Sequence, residues 1–147
     1  MSRIDRVLEL ALGLTFVAAG ILKVLDPAEF ALTIASLRLL PPLLVGAAAI
    51  LLPWIEIVSG VAVVATRRYR DAATGLILAL LAVFTLILVV GLARGTAGNC
   101  GCFGKGIGFL NRPDVGLARN GLLIAAAVVL ILRRRRATSP AGPASPA

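Results

Sequence analysis

The two cysteines of this chain, Cys100 and Cys102, are separated by a single glycine. Two thiols this close can close and reopen a disulfide, and thiol–disulfide exchange needs a sulfur that a partner thiol can reach. A bridge over one residue closes almost no loop and therefore adds little stability, and so short a ring constrains the preferred disulfide geometry. The spacing favours a reactive pair over a purely structural bridge.

Two other chemistries could use cysteines in this setting. Zinc usually takes four ligands from Cys, His or carboxylate groups, and the chain has two cysteines and no histidine. A zinc site would need ligands from a second protomer or a partner, so we predict no metal site. Lipid attachment to cysteine is expected mainly on the cytoplasmic side of a membrane.

Basic residues flank the cysteine pair on both sides, at Arg94, Lys105 and Arg112. A cation that reaches a sulfur stabilises its thiolate. Lys105 is three positions from Cys102, which makes Cys102 the preferred thiolate, although the spacing does not decide which sulfur a partner attacks.

A second candidate is Glu56, which lies deep inside an apolar segment. A carboxylate at membrane depth is costly and by default marks a functional site. The plain alternative is a structural hydrogen bond to a neighbouring helix. Glu56 is expected to face the bundle interior, with Arg119 or Asn120 as its partner. Lys23, near the end of the first apolar segment, is expected to extend its ammonium outward.

The elements that must position these residues are four long apolar segments. Apolar residues make up 59% of the chain and charged residues 15%, with a mean hydropathy of +0.99, whereas a soluble domain is about half apolar and roughly a quarter charged. Each segment is long enough to span a bilayer, and continuous apolar character favours helices over strands. The segments run from about Ile4 to Leu25, Leu43 to Ala65, Ala72 to Leu92 and Val115 to Leu132.

The sequence therefore predicts an all-α integral membrane protein. Its fold is a four-transmembrane-helix bundle with a short interfacial helix after the first span, starting at Asp26-Pro27 and stopping at Pro41-Pro42. The first segment is interpreted as a retained helix because no clear signal-peptide cleavage site follows it. Residues 1–136 form the membrane domain, and residues 137–147, rich in Ala, Pro and Ser, form a disordered tail.

The basic residues predict the orientation. The net charge of +8 resides at the ends of apolar segments, which favours a membrane over a nucleic acid as the partner. Basic clusters at 67–70 and 133–136 place both termini in the cytoplasm. The cysteine loop then faces the extracytoplasmic side of the cytoplasmic membrane, where disulfides persist. Arg133–Arg136 are interpreted as a stop-transfer anchor, and Glu9 as a topology or packing residue.

Four stretches of the chain resemble a known family. They are Gly20-Ile21-Leu22-Lys23 with Asp26-Pro27, Leu52-Pro53-Trp54-Ile55-Glu56 with Gly60, Cys100-Gly101-Cys102-Phe103-Gly104, and Ala118-Arg119-Asn120. Together they resemble the MauE/DoxX-like group of redox-associated four-helix membrane proteins. The Cys-Gly-Cys-Phe-Gly stretch is the specific one and points to the methylamine-utilisation MauE branch. The resemblance implies a role in forming or maintaining disulfides in exported proteins, beside a thioredoxin-like partner.

Three functions from different classes follow from these observations. The first is a thiol–disulfide oxidoreductase in which Cys100 and Cys102 exchange with an exported partner, supported by Glu56, Lys105 and Arg119. No covalently bound cofactor is expected, and without a second cysteine pair the electrons must pass to a membrane quinone or to another protein. The second is a non-enzymatic accessory protein whose disulfide shapes a docking loop. The third is a small transporter or lipid-binding bundle centred on Glu56.

Overall fold

The computed structural model describes residues 3–36, 38–94 and 112–138. Over these ranges the chain is helical and contains no strand, and four helices are long and apolar enough to cross a membrane. The predicted all-α architecture with four spans is thereby confirmed. The helices are α1 (Arg3–Leu25), α2 (Pro27–Ser36), α3 (Pro42–Ala65), α4 (Arg70–Ala93) and α5 (Pro113–Thr138). Cys100, Cys102, Lys105 and residues 139–147 lie outside the described residues.

The short helix α2 begins where the sequence predicts it. Asp26 accepts a hydrogen bond from the backbone N–H of Glu29 at 3.1 Å, which is the contact of an N-cap residue, and Pro27 occupies the first helical position, where its missing N–H costs nothing. Phe30 is buried, and α2 packs on α3 and α1. The location of α2 at the membrane interface remains a prediction.

The four long helices form a closed bundle in which α1 packs most extensively on α3 and α4 packs on α5. Contacts between α3 and α4 and between α1 and α5 complete the ring. Leucine, isoleucine and valine side chains cover much of the outer surface, as expected for helices that meet lipid. The buried centre contains Leu12, Phe16, Val63, Ala73, Ile77, Leu81, Ala127 and Leu130.

Glycines determine how closely α1 approaches α3. A Cβ atom on Gly60 would lie 2.7 Å from the carbonyl oxygen of Gly13, and one on Gly20 would lie 2.7 Å from the carbonyl oxygen of Pro53. Both contacts are with backbone atoms, so the helices themselves would have to move apart. These small residues thus permit the close crossing of α1 and α3.

Replacing Gly60 with alanine is expected to destabilise the bundle by about 1–3 kcal/mol, the usual cost of overpacking. Gly75→Ala is the matched control, because a Cβ there meets no atom within 4 Å and alanine favours the helix. Thermal unfolding of the two variants in detergent measures the difference. A Gly60→Ala protein as stable as Gly75→Ala would contradict the close crossing.

Candidate functional site

Charged side chains, some of them fully buried, gather at two places in the described part of the bundle. One group, called here the Lys23 site, consists of Lys23, Glu56, Arg119 and Asn120 with the rings of Phe30 and Phe84. The other, called here the Glu9 cluster, lies toward the opposite end of the bundle. It consists of Asp5, Arg6, Glu9, Arg70, Asp71, Arg133 and Arg134.

The Lys23 site is built on an ion pair between α1 and α3. The Nζ atom of Lys23 lies 2.5 Å from Oε1 of Glu56, and the two side chains are only 4% and 2% exposed. The prediction that Lys23 extends outward is therefore wrong. The close approach of α1 and α3 at Gly20 brings the ammonium beside a buried carboxylate, and pairing the two charges costs less than leaving either alone in an apolar bundle.

Two aromatic rings complete the surroundings of the Lys23 ammonium. Nζ lies 4.8 Å from the ring centre of Phe84 on α4 and 5.1 Å from that of Phe30 on α2. Both distances fall within the range of cation–π attraction. One ammonium on α1 therefore contacts side chains from α2, α3 and α4 and links these three helices to α1.

Helix α5 contributes the polar residues that the sequence predicts as partners of Glu56. Arg119 and Asn120 line a cavity together with Lys23 and Glu56, so the structure brings both predicted partners to the site. The Asn120 amide donates to Oγ1 of Thr85 at 3.3 Å and accepts from Arg119 at 3.4 Å. The cavity measures about 30 Å³, room for one or two water molecules.

Glu56 thus lies inside the bundle, as its sequence context predicts, but the ion pair with Lys23 is not among the sequence predictions. A signal for it exists, since each of the two is an isolated charge in an apolar segment and such charges tend to pair with one another. The functional roles assigned to Glu56 and Arg119 remain predictions.

The Lys23 site lies at the end of the bundle from which the cysteine segment departs. Helix α4 ends at Ala93 and α5 begins at Pro113, so residues 95–111 connect these two ends. At about 1.5 Å per residue, Phe84 lies about 14 Å before the end of α4 and Asn120 about 10 Å after the start of α5. The buried charges therefore lie about 10–14 Å inside the helix ends that hold the segment with Cys100 and Cys102.

The Glu9 cluster ties the other ends of α1, α4 and α5 together. Glu9 is fully buried, and its Oε1 lies 2.7 Å from Arg134 and 3.2 Å from Arg70. Arg134 also contacts Asp71 at 2.6 Å, and Arg133 contacts Asp5 at 2.8 Å. Arg133 and Arg134 thus form ion pairs with carboxylates on α1 and α4, of which Glu9 is the fully buried one and needs a partner. The interpretation of Arg133–Arg136 as a stop-transfer anchor remains a prediction.

Comparison with known proteins identifies a family that this chain matches. The model of the family described as methylamine utilisation protein MauE matches residues 1–133. The methylamine utilization protein MauE of Paracoccus denitrificans is 37% identical over 101 residues, which cover 68% of this chain and 54% of that protein. The chain therefore spans about half the length of this relative. No solved structure matches the chain.

The family match extends over all four spanning helices up to Arg133, so it includes every residue of the Lys23 site and the segment with both cysteines. Its extent agrees with the four stretches of sequence that suggested the same family. On this match, the chain belongs to the MauE family and is a multi-pass membrane protein.

Proposed function

We propose that this protein is a membrane thiol–disulfide redox protein that supports disulfide formation or maturation in exported partner proteins. The observation that carries the proposal is the buried Lys23–Glu56 pair, which lies about 10–14 Å inside the helix ends that hold the cysteine segment. A buried charge pair is an expensive feature in an apolar bundle. Its position at the end of the bundle where the segment with both cysteines is attached supports a role in the chemistry of those thiols.

The proposed reaction transfers a disulfide in two exchanges. A partner thiolate attacks one sulfur of the Cys100–Cys102 disulfide and forms a mixed disulfide, and a second partner thiol then displaces it. The partner loses two electrons and two protons and gains a disulfide, while Cys100 and Cys102 become thiols. A membrane quinone then takes two electrons and two protons from these thiols, which restores the disulfide and yields a quinol.

The buried charges would take part in the proton transfers of this cycle. Re-forming the disulfide releases two protons together with two electrons, and Glu56 is the buried carboxylate at this end of the described bundle. Lys23 forms an ion pair with Glu56 and balances its negative charge inside the bundle. In this proposal Glu56 and Lys23 are positioning and proton-handling residues, and Lys105 and Arg119 stabilise negative charge.

The partner is proposed to be an exported protein used in methylamine utilisation. The family description and the name of the Paracoccus denitrificans relative both carry that term. A thioredoxin-like protein is the proposed intermediary, because it presents the dithiol that the exchange requires.

The proposed orientation has both termini in the cytoplasm and the cysteine segment outside. The basic clusters at 67–70 and 133–136 support it. A membrane-impermeant thiol reagent should label reduced protein in intact cells, because Cys100 and Cys102 are the only thiols of the chain. Labelling that requires permeabilised cells would place the cysteines inside.

The redox state of the pair tests the proposal directly. Protein taken from membranes under acid quench should resist alkylation until a reductant is added, and mass spectrometry should then find both cysteines modified on one peptide. Free thiols under oxidising conditions would contradict a reversible Cys100–Cys102 disulfide.

A transporter or lipid-binding bundle is the second candidate, and the cavity beside Glu56 favours it. The growth of two variants distinguishes these two functions. Glu56→Gln keeps the size of the side chain and removes its charge, so in either function it should impair activity while leaving expression intact. Loss of methylamine-dependent growth in Glu56→Gln but not in a Cys100→Ser/Cys102→Ser variant would favour the transporter.

A further inference from the structure

The cavity of the Lys23 site has a buried floor and a half-buried rim. Lys23, Glu56 and Asn120 form the floor and are each less than 5% exposed. The half-buried lining residues include Thr15 and Ala19 on α1 and Arg119 and Leu123 on α5. Phe84 on α4 is half-buried as well, but four of the five half-buried lining residues lie on α1 and α5, so we place the mouth of the cavity between these two helices.

The packing of these two helices is consistent with a lateral mouth. Helix α1 contacts α5 less extensively than it contacts α3. Two ion pairs join α1 and α5, Glu9 with Arg134 at 2.7 Å and Asp5 with Arg133 at 2.8 Å, and both lie toward the opposite end of the bundle. A bilayer component can therefore approach the cavity between the halves of α1 and α5 that lie nearer the cysteine segment.

The chemistry of the site favours a ligand that offers neutral oxygen acceptors. Lys23, Glu56 and Arg119 together carry one net positive charge, and the ammonium, the guanidinium and the Asn120 amide are all hydrogen-bond donors. Phe16, Phe84 and Leu123 supply apolar walls. Phospholipid phosphates fit poorly, because the site lies about 10–14 Å inside the helix ends and phosphates reside outside the hydrocarbon core.

We infer that the mouth between α1 and α5 binds the head group of a membrane quinone. The inference rests on the proposed function, in which a two-electron acceptor must reach the cysteine pair. The cavity of about 30 Å³ has room for no more than one or two water-sized groups. One quinone oxygen would therefore enter toward Asn120 and Arg119, while the ring occupies the mouth between Ala19 and Leu123.

The proposed reaction is a two-electron transfer from the cysteine thiols to the quinone. Two electrons and two protons leave the Cys100 and Cys102 thiols, a sulfur–sulfur bond forms, and the quinone becomes a quinol. The donors of Arg119 and Asn120 would stabilise negative charge that develops on the quinone oxygen, and Glu56 would accept a proton released by the thiols and pass it to that oxygen.

Photolabelling of the full-length protein tests the site. The protein would be placed in phosphatidylcholine nanodiscs and irradiated with a short-chain azidoquinone, and the labelled peptides would be identified by mass spectrometry. Labels are expected within residues 15–23 and 119–123, and excess ubiquinone-1 should remove them. Labels elsewhere, or labels that phosphatidylglycerol removes and ubiquinone-1 does not, would overturn the inference.

A pair of tryptophan variants locates the mouth. Ala19→Trp fills the rim, whereas Ala18→Trp adds the same side chain at the next position, which is exposed on α1. Ala19→Trp is expected to weaken ubiquinone-1 binding about tenfold, equivalent to about 1.4 kcal/mol, and Ala18→Trp to leave it unchanged. Equal binding by two variants that unfold like the wild type would overturn the placement.

One further measurement separates this inference from the proposed function. Oxidised protein without quinone should oxidise one equivalent of dithiothreitol in a single turnover, and Ala18→Trp should do so as fast as the wild type. Normal single-turnover oxidation without quinone binding would refute the site and leave the redox function standing. Quinone binding at the mouth without thiol oxidation would refute the redox function alone.

Discussion

Lys23→Met is expected to lower the free energy of unfolding by about 3–5 kcal/mol, the cost of removing one partner from a buried ion pair. Methionine nearly matches the length of lysine, so the change removes the charge more than the volume. It takes away the ammonium that lies 2.5 Å from Glu56 and near two aromatic rings. Thermal or denaturant unfolding in detergent, followed by circular dichroism, measures the loss.

Two further variants make this prediction specific. Lys23→Met/Glu56→Leu is expected to recover most of the lost stability, because apolar replacement of a whole buried pair is often neutral. Arg112→Met removes one partner of an ion pair in which both side chains are more than 60% exposed, so it should cost less than about 1 kcal/mol. A Lys23→Met protein no less stable than Arg112→Met would show that the buried pair does not hold the bundle together.

Serine at Cys100, at Cys102 or at both is expected to abolish maturation of the exported partner without unfolding the bundle. The reaction requires both sulfurs, whereas a bridge over one residue closes too small a loop to stabilise the fold. Disulfide content of the exported proteins, measured by differential alkylation in cells grown on methylamine, gives the readout. The single-serine variants should also accumulate a mixed disulfide whose second component mass spectrometry identifies.

Asn99→Ser is the matched control for the cysteine variants, because it places the same side chain next to Cys100 and leaves both thiols in place. It should mature the partner normally. If the double serine variant does so as well, the cysteines have no redox role, and the cavity at Glu56 becomes the main candidate for function.

The number, length and helical character of the spans could be read from the sequence. Apolar length and continuity determine a spanning helix because an unpaired backbone polar group in lipid is costly, and both properties are local. The start of α2 at Asp26-Pro27 could also be predicted from local sequence, since capping involves residues within one turn. The inward position of Glu56 follows from the cost of exposing a carboxylate to lipid.

The charge pairings could not be read in this way. Lys23 and Glu56 are 33 positions apart, and Glu9 and Arg134 are 125 positions apart. Sequence pattern predicts that a buried charge needs a partner, but several candidates on other helices satisfy that requirement equally well. Arg119 and Asn120 were reasonable candidates for Glu56, and they do line its cavity.

Tertiary structure decided among these candidates through the packing of the backbones. Helices α1 and α3 are in close contact at Gly13, Gly20 and Gly60. The register of the two helices at these contacts places the Lys23 ammonium beside Glu56 instead of outside the bundle. A shift of one helical turn, about 5.4 Å, would separate the two charges. The sequence alone determined that charges are buried in this membrane protein. Helix register determined which of these charges form ion pairs, because an ion pair requires a distance of a few ångströms that only the packed bundle defines.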